Sequence, residues 1–268
     1  MMKILVTIGP KSVDDASLLK FSKKSHLFRL NGSHGTLEWH RAAIISIRRA
    51  CPDAFILMDI PGIKPRTNNT ESISIKRGQE VVFGTPPMSE ERLTIELTKE
   101  IPKSKRYSNK FSVNDGQFEF DFVSSANSYV VGRSRSDFIL LQKKGINLPN
   151  SIYDEIKQYE IYKEFLSKIA DMDIDGLGLS FVQTGELVKK IRNIAPDLVL
   201  VAKIENSEGL RNCIDIVTHS DAIMIDRGDL AAEIGFGHLF HAINSISDQT
   251  KSHGKPLIMA TENLSTML

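Results

Sequence analysis

Two short stretches carry the residues best placed to do chemistry: Lys203-Ile-Glu205 and, further along, Asp226-Arg227-Gly228-Asp229. The first follows the apolar run Leu198 to Ala202, and the second follows Ala222 to Ile225. Both runs read as buried strands of a parallel sheet. Because side chains alternate along a strand, Lys203 and Glu205 fall on one face where the first run ends. Each run ends in charge at its carboxyl end, so Glu205 and Asp229 can converge at the mouth of the sheet. Parallel α/β folds keep their chemistry there. Taken alone, a lysine and a glutamate two apart are an ordinary surface ion pair, so the elements around them decide the reading.

The chain alternates strand and helix on both sides of a different kind of segment. Lys3 to Ile8 is a β-branched run stopped by Gly9-Pro10. Ser12 then caps a short helix with Asp14 and Asp15 in its first turn. His26 to Leu30 is a second strand, Trp39 to Arg49 a helix and Ala54 to Asp59 a third strand. From Asn68 to about Ser136, short β-rich runs are separated by Gly, Pro, Asn and Ser, and no helix of ordinary length is evident. After Lys143-Lys-Gly-Ile-Asn-Leu-Pro149 the alternation resumes with a helix over Tyr153 to Ile169, a strand from Gly176 and a helix over Glu186 to Ile194. The strand Leu198 to Ile204 follows, then a helix over Ser207 to Val217, the strand Ala222 to Ile225, a helix over His238 to Ser252 and a strand at Pro256 to Ala260.

These elements predict an α/β fold of the TIM-barrel type, with residues 1–67 and 137–268 in the barrel and 68–136 as an inserted small β-rich lid. Seven strands lie outside the insert, whereas such barrels close with eight. An open seam between the first and last strands is therefore expected, covered by a second copy of the chain or another partner. The segment Thr261 to Leu268 reads as the start of the next helix.

Composition narrows the function. The 268 residues carry a net charge of +1 with 25% charged residues, which gives no support to bulk binding of nucleic acid or membrane but leaves room for a local anionic-metabolite site. Cys51 and Cys213 have no partner spacing for a disulfide framework or a zinc cluster, and the default setting is reducing and cytoplasmic. The first apolar run is too short for a signal peptide, and no later one approaches a membrane span. Asp171-Met-Asp-Ile-Asp-Gly176 opens like a calcium loop, but Val182 stands where the last carboxylate ligand is needed. The lysine runs at 20–24 and 99–106 read as solvated faces, and Asn114-Asp115-Gly116 reads equally as a plain hairpin turn or as part of a site.

Nine strings in order resemble the pyruvate kinase family: Thr7-Ile-Gly-Pro, Arg29-Leu-Asn-Gly-Ser-His-Gly35, Asp59-Ile-Pro-Gly-Ile-Lys-Pro-Arg-Thr67, Val113-Asn-Asp-Gly116, Lys143-Lys-Gly-Ile-Asn-Leu-Pro149, Leu179-Ser-Phe-Val182, Lys203-Ile-Glu-Asn206, Arg227-Gly-Asp-Leu230 and Met259-Ala-Thr-Glu-Asn-Leu264. The resemblance implies a (β/α)8 barrel interrupted after its third strand by a lid, and it covers only the first part of the family's length. It implies Mg2+ (or Mn2+) held by Glu205 and Asp229, and K+ held by Asn31, Ser33 and Asp59. It makes Lys203, Arg29 and Thr261 catalytic, with Lys203 beside the transferring phosphoryl group and Thr261 on the proton route. Arg29 and Arg66 would bind anionic substrate, with Thr261 lining it and the amides of Arg227, Gly228 and Asp229 cradling its carboxylate.

The activity so implied is phosphoryl transfer between phosphoenolpyruvate and a nucleoside diphosphate such as ADP through a pyruvate enolate. Four departures from the family pattern bear on it. Ile60-Pro61-Gly62 replaces Thr-Lys-Gly, which removes one cation of the phosphate region unless Lys64 compensates, and Lys11 is the nearest basic residue where the family has an arginine. Asp226 adds a third carboxylate near the metal. Glu262 replaces a glutamine. With the nucleotide side so altered, two other readings remain: a metal-dependent lyase, aldolase or decarboxylase acting on pyruvate or a 2-oxo acid, and a catalytically degenerate binding protein.

Overall fold

The computed structural model describes residues 3–86, 92–103 and 108–261. Strand β1 (Leu5–Thr7) leads through α1 (Asp15–Ser22) to β2 (Leu27–Asn31), and α2 (Leu37–Ala50) leads to β3 (Phe55–Ile60). The cap of α1 is Asp14, not Ser12. The Asp14 carboxylate accepts from the Ser17 amide, while the Ser12 hydroxyl is spent on the Gly9 turn. Both residue types make good caps, and the engagement of Ser12 with Gly9 leaves Asp14 to serve.

The inserted unit comprises β4 (Ile73–Ile75), β5 (Glu80–Gly84), β6 (Leu93–Ile95), β7 (Lys110–Val113), β8 (Phe118–Ala126), β9 (Tyr129–Ser134), β10 (Phe138–Leu140) and β11 (Ile146–Asn147). Six of these form one sheet in the order β11-β7-β8-β9-β5-β6, and β10 pairs with β4. β10 and β11, which lie beyond residue 136, pair with β4 and β7. Phe138, Leu140, Ile146 and Leu148 pack into its core with Phe83, Phe111 and Phe120. The signal missed was pairing partner rather than pattern, since short strands are assigned by what they join.

The chain then continues through α3 (Glu155–Ile169), β12 (Gly176–Leu179), α4 (Gly185–Ile194) and β13 (Val199–Ile204). Next come α5 (Ser207–Arg211), α6 (Cys213–His219), β14 (Ala222–Asp226), α7 (Arg227–Ile234), α8 (Phe236–Ser252) and β15 (Leu257–Ala260). The single helix expected over Ser207 to Val217 is two. Asn206 caps the first, and Asn212 interrupts the run by turning its side-chain amide to the Gln183 carbonyl.

The seven barrel strands form one curled, all-parallel sheet in the order β1-β2-β3-β12-β13-β14-β15, a half-barrel consistent with an α/β barrel. Strands β1 and β15 are its two edges and do not pair with each other among the described residues. Residues 262–268, including Glu262 and the expected next helix, lie outside the described residues, as do 104–106 of the lysine-rich run.

Alternation along the strands then positions the site. Leu200, Ala202 and Ile204 of β13 pack outward against the helices with Ile56, Met58, Ile223 and Ile225. Val199 and Val201 point inward with Phe55, Leu57, Ala222, Met224, Ile258 and Ala260. Carrying the inward parity to the carboxyl ends gives Arg29 and Asn31 on β2, Asp59 on β3, Lys203 on β13 and Asp226 on β14. The half-barrel interior is apolar at one end and charged at the other, and the switch is written in the order of residues along each strand.

Candidate active site

A pocket of about 280 Å3 opens at the carboxyl ends, lined by Arg29, Lys64, Lys203, Glu205, Asp226 and Asp229 together with others that include Asn31, Ser33, Arg66 and Lys99. A larger cavity of about 1100 Å3 beside α3 shares Lys99 with it, but its walls are mostly apolar and the converging charges lie in the smaller one.

Lys203 is 5% exposed. Its ammonium lies 2.8 Å from Glu205, 3.3 Å from Asp59 and 3.9 Å from Asp226. Burial opposes its charge, but those carboxylates outweigh burial and hold the lysine protonated, above its usual range. Glu205 shows the reverse balance. Burial, with the Asp229 and Asp226 charges, raises its pKa even though Lys203 pulls the other way. Its second oxygen accepts the Phe181 amide at 2.7 Å. Phe181 sits at φ 61°, a left-handed conformation that a bulky residue adopts only under constraint, and that conformation aims its N–H at Glu205.

Asp59, 2% exposed, takes the Arg29 guanidinium through Nε at 3.0 Å and Nη2 at 2.5 Å. Lys203 and Arg29 overcome the burial cost and keep this carboxyl below its usual range. The close approach needs Gly178 opposite, since a Cβ there would stand 2.1 Å from Asp59 Oδ1. Asp229 lies in the first turn of α7 and is paired with Lys64, which also reaches Asp115 at 2.9 Å on the β7–β8 turn of the insert. Lys64 is 6% exposed and is held charged above its usual range by these two carboxylates against its burial. The turn Asn114-Asp115-Gly116, all three at positive φ, is thus a hairpin that also delivers a charge to the site.

One oxygen each of Glu205, Asp226 and Asp229 can lie within 4.8 Å of the others. This set of hard oxygens fits a divalent cation such as Mg2+. Of the expected K+ donors, Asp59 Oδ1 is buried and unpartnered, but two fixed cations already neutralise that carboxylate. Asn31 Oδ1 accepts the Ser33 amide, and Ser33 is exposed. That donor set fits a monovalent ion less well than the three carboxylates fit a divalent one.

Other expected residues are only partly brought in. Arg66 lines the pocket, with Nη1 on the Lys143 carbonyl at 3.2 Å. Arg227, Gly228 and Thr261 stand behind the lining. The Thr261 hydroxyl donates to Asp226 at 2.8 Å and accepts the Gly228 amide at 3.2 Å, while Arg227 Nε donates to the Thr261 carbonyl at 3.0 Å. The Gly228 amide is therefore engaged within the protein rather than open to a ligand.

The sequence named Lys64 as the residue able to compensate for the cation lost beside Pro61, whereas Lys99 read as solvated. Lys64 and Lys99 both line the pocket, and Lys99 bonds the Gly62 carbonyl. A lysine placed by a second unit has no local signal. A second donor group, His26, Cys51 and Asp53, gathers at the opposite ends of β2 and β3, with His26 and Asp53 exposed.

The fold and pocket define the class: an α/β barrel protein with a lysine and three carboxylates converging at the carboxyl ends of its strands. The chain belongs to the pyruvate kinase family, since the family description "Pyruvate kinase, barrel domain" matches residues 1–268. It is similar to the pyruvate kinase of Dictyostelium discoideum, 29% identical over 286 residues, covering 99% of this chain and 56% of that protein. The cytosolic isozyme of Nicotiana tabacum is 29% identical, with 99% of this chain and 56% of its own length covered. The Thermococcus litoralis pyruvate kinase is 30% identical, with 99% and 58% covered. The chain thus spans about half the length of the curated relatives it matches. No helix among the described residues is long and apolar enough to cross a membrane.

Proposed function

We propose that this chain carries the catalytic half-barrel of a pyruvate kinase-type phosphotransferase, which moves a phosphoryl group between phosphoenolpyruvate and a nucleoside diphosphate such as ADP. The observation that carries the reading is the buried Lys203 ammonium, held among Glu205, Asp59 and Asp226 in a pocket that Arg29, Lys64, Arg66 and Lys99 also line. Phosphoryl transfer needs fixed positive charge where negative charge develops, and little covalent help from the protein. Glu205 and Asp229, with Asp226 beside them, would hold Mg2+ or Mn2+, which supplies Lewis-acid polarisation of substrate oxygens when bound. Lys203 stabilises the moving charge. Arg29, fixed by Asp59, presents its remaining donors to the substrate, and Arg66 adds a second guanidinium at the rim. Thr261, whose hydroxyl donates to Asp226, is the proposed group on the proton route. Asn31, Ser33 and Asp59 form the candidate K+ locus.

Lys99, which lines the pocket beside Gly62, favours phosphoryl transfer over lyase chemistry on a 2-oxo acid, because it brings positive charge to the side where the sequence had lost it. By likeness to relatives named as cytosolic, a cytosolic setting is part of the proposal, as is a second copy or another segment covering the edges at β1 and β15. A lactate dehydrogenase-coupled assay with ADP, Mg2+ and K+ tests the function. Turnover of phosphoenolpyruvate supports it, and a folded chain with no turnover at millimolar substrate refutes it. Mg2+-dependent exchange of pyruvate methyl protons without nucleotide, in the absence of any turnover, would move the assignment to the lyase reading.

A further inference from the structure

At the end of the half-barrel away from the carboxylate pocket, three side chains with good metal-donor atoms converge. His26 stands just before β2, Cys51 is the C-cap of α2 and Asp53 lies between α2 and β3. One donor atom of each lies within 4.8 Å of the other two. His26 Nδ1 is 2.9 Å from Asp53 Oδ2, and the Cys51 thiol donates to Asp53 Oδ1 at 3.5 Å. An exposed histidine and aspartate alone would be an ordinary surface pair that contributes little. The thiol changes the chemistry. Cys51 is 3% exposed, and its one side-chain hydrogen bond among the described residues goes to this carboxylate.

The backbone holds these donors in place. Cys51 to Ala54 is a tight turn closed by the Ala54 amide on the Cys51 carbonyl at 3.0 Å, with Pro52 at its second position. The Cys51 amide bonds the Ile47 carbonyl at 2.8 Å, and the Phe55 amide bonds the His26 carbonyl at 2.7 Å. The chain spacing hides the group, because only the pairing of β2 with β3 brings His26 to the turn. Cys51 also stands at the C-terminal end of a 14-residue helix, where the helix dipole favours positive charge. Arg48, whose Nη1 bonds the Ala54 carbonyl, is committed to Asp173 and Asp175 rather than to Asp53.

We infer that His26, Cys51 and Asp53 form a second metal site, for Zn2+, at the amino-terminal end of the barrel strands, where the ion clips the start of β2 to the α2–β3 turn. Thiolate and imidazole select Zn2+ over Mg2+. A tetrahedral Zn2+ with sulfur at about 2.3 Å and oxygen at about 2.1 Å holds those two donors about 3.6 Å apart, and holds an imidazole nitrogen and an oxygen about 3.4 Å apart. The separations here, 3.5 Å from sulfur to Oδ1 and 2.9 Å from nitrogen to Oδ2, are close to these, and the exposed Asp53 carboxylate can turn one oxygen to meet both. On binding, the Cys51 proton leaves to solvent, and His26 coordinates through Nδ1 as the neutral ring with its proton on Nε2. Thiolate and carboxylate then balance the charge of the ion, and water takes the fourth position. The amino-terminal face of a barrel serves stability rather than chemistry. The ion therefore stabilises the folded chain by binding it in preference to the unfolded one, and takes no part in phosphoryl transfer.

The test titrates the reduced full chain with Co2+, whose tetrahedral thiolate complexes show a near-ultraviolet charge-transfer band, with folding checked by circular dichroism. The band is expected to saturate at a single equivalent, to be displaced by Zn2+ and to survive an excess of Mg2+, which occupies hard-oxygen sites. Cys51→Ser should lose the band, and Cys213→Ser should keep it. His26→Ala and Asp53→Ala should each weaken Co2+ binding at least about tenfold, since loss of even an outer partner of a metal ligand has that effect. Zn2+ should raise the thermal midpoint of the parent and leave that of Cys51→Ser unmoved. If Cys51→Ser does not fold, the two exposed positions carry the test. A folded parent that shows no charge-transfer band, or whose midpoint Zn2+ does not raise, overturns the inference. So does a band that persists in Cys51→Ser, or parental affinity in either His26→Ala or Asp53→Ala.

Discussion

The buried carboxyl of Glu233 makes the stability of this chain depend on pH in a direction opposite to most acidic groups. Burial, assisted by the Asp229 charge and only partly opposed by Lys64 and Asn147, raises its pKa from the usual 4.5 to about 8. Between those values the unfolded chain has released the proton while the folded chain keeps it. The folded state binds more protons, and stability falls as pH rises. At about 1.36 kcal/mol per pH unit, a change from pH 5 to pH 8 spans most of the window and removes about 3 to 4 kcal/mol. Glu233→Gln deletes the titration and keeps the shape. Urea unfolding of both proteins at pH 5, 6, 7 and 8 measures the effect, with the midpoint slope held constant. Glu205, raised by burial, and Asp59 and Asp229, held low by their cations, titrate in both proteins and largely cancel in the difference. The expected result is that Glu233→Gln gains on the parent steadily with pH, by about 3 kcal/mol at pH 8 relative to pH 5. A stability difference independent of pH would refute the reasoning.

Three further outcomes follow from the site. Lys203→Met should lower phosphoryl transfer by about a hundred- to a thousandfold while Mn2+ affinity, read by calorimetry, is kept or rises; a comparable loss of Mn2+ binding shows that the lysine is misassigned. Lys64→Met leaves Asp229 without its cation and should cost the metal-free protein about 3–5 kcal/mol, much of it recovered in saturating Mn2+ because the metal then neutralises the same carboxylate; equal destabilisation with and without Mn2+ in urea unfolding contradicts this. Gly178→Ala drives a Cβ to 2.1 Å from Asp59 Oδ1 and should destabilise by about 1–3 kcal/mol, whereas Gly237→Ala on α8, where nothing lies within 4 Å, should be neutral or stabilising by up to about 1 kcal/mol; similar denaturation midpoints for the two variants would count against the packing account.

The alternation of β and α elements, the seven parallel strands and the pairing of Lys203 with Glu205 were legible in the chain, because each depends on residues close in sequence. Apolar runs ending in charge specify both a buried strand and which of its ends is polar. The same local character explains the misses. Ser12 and Asp14 are both competent caps, and only the turn at Gly9 decides between them. The pairing of β10 with β4 and of β11 with β7 was not legible, because the partners lie far away in the chain.

The sequence by itself determined that a lysine and a carboxylate share one face at the end of a buried strand, and that a further acid follows the next strand. Only the tertiary structure decided how those charges are balanced. It set Asp59 between Arg29 and Lys203 opposite a glycine, brought Lys64 from the segment after β3 onto Asp229, and laid Asp115 and Asn147 of the insert against α7. The physical reason is range. Strand and helix preferences are settled over a few residues, whereas the energy of a buried charge is set by every partner the fold brings within a few ångströms, whatever its distance along the chain.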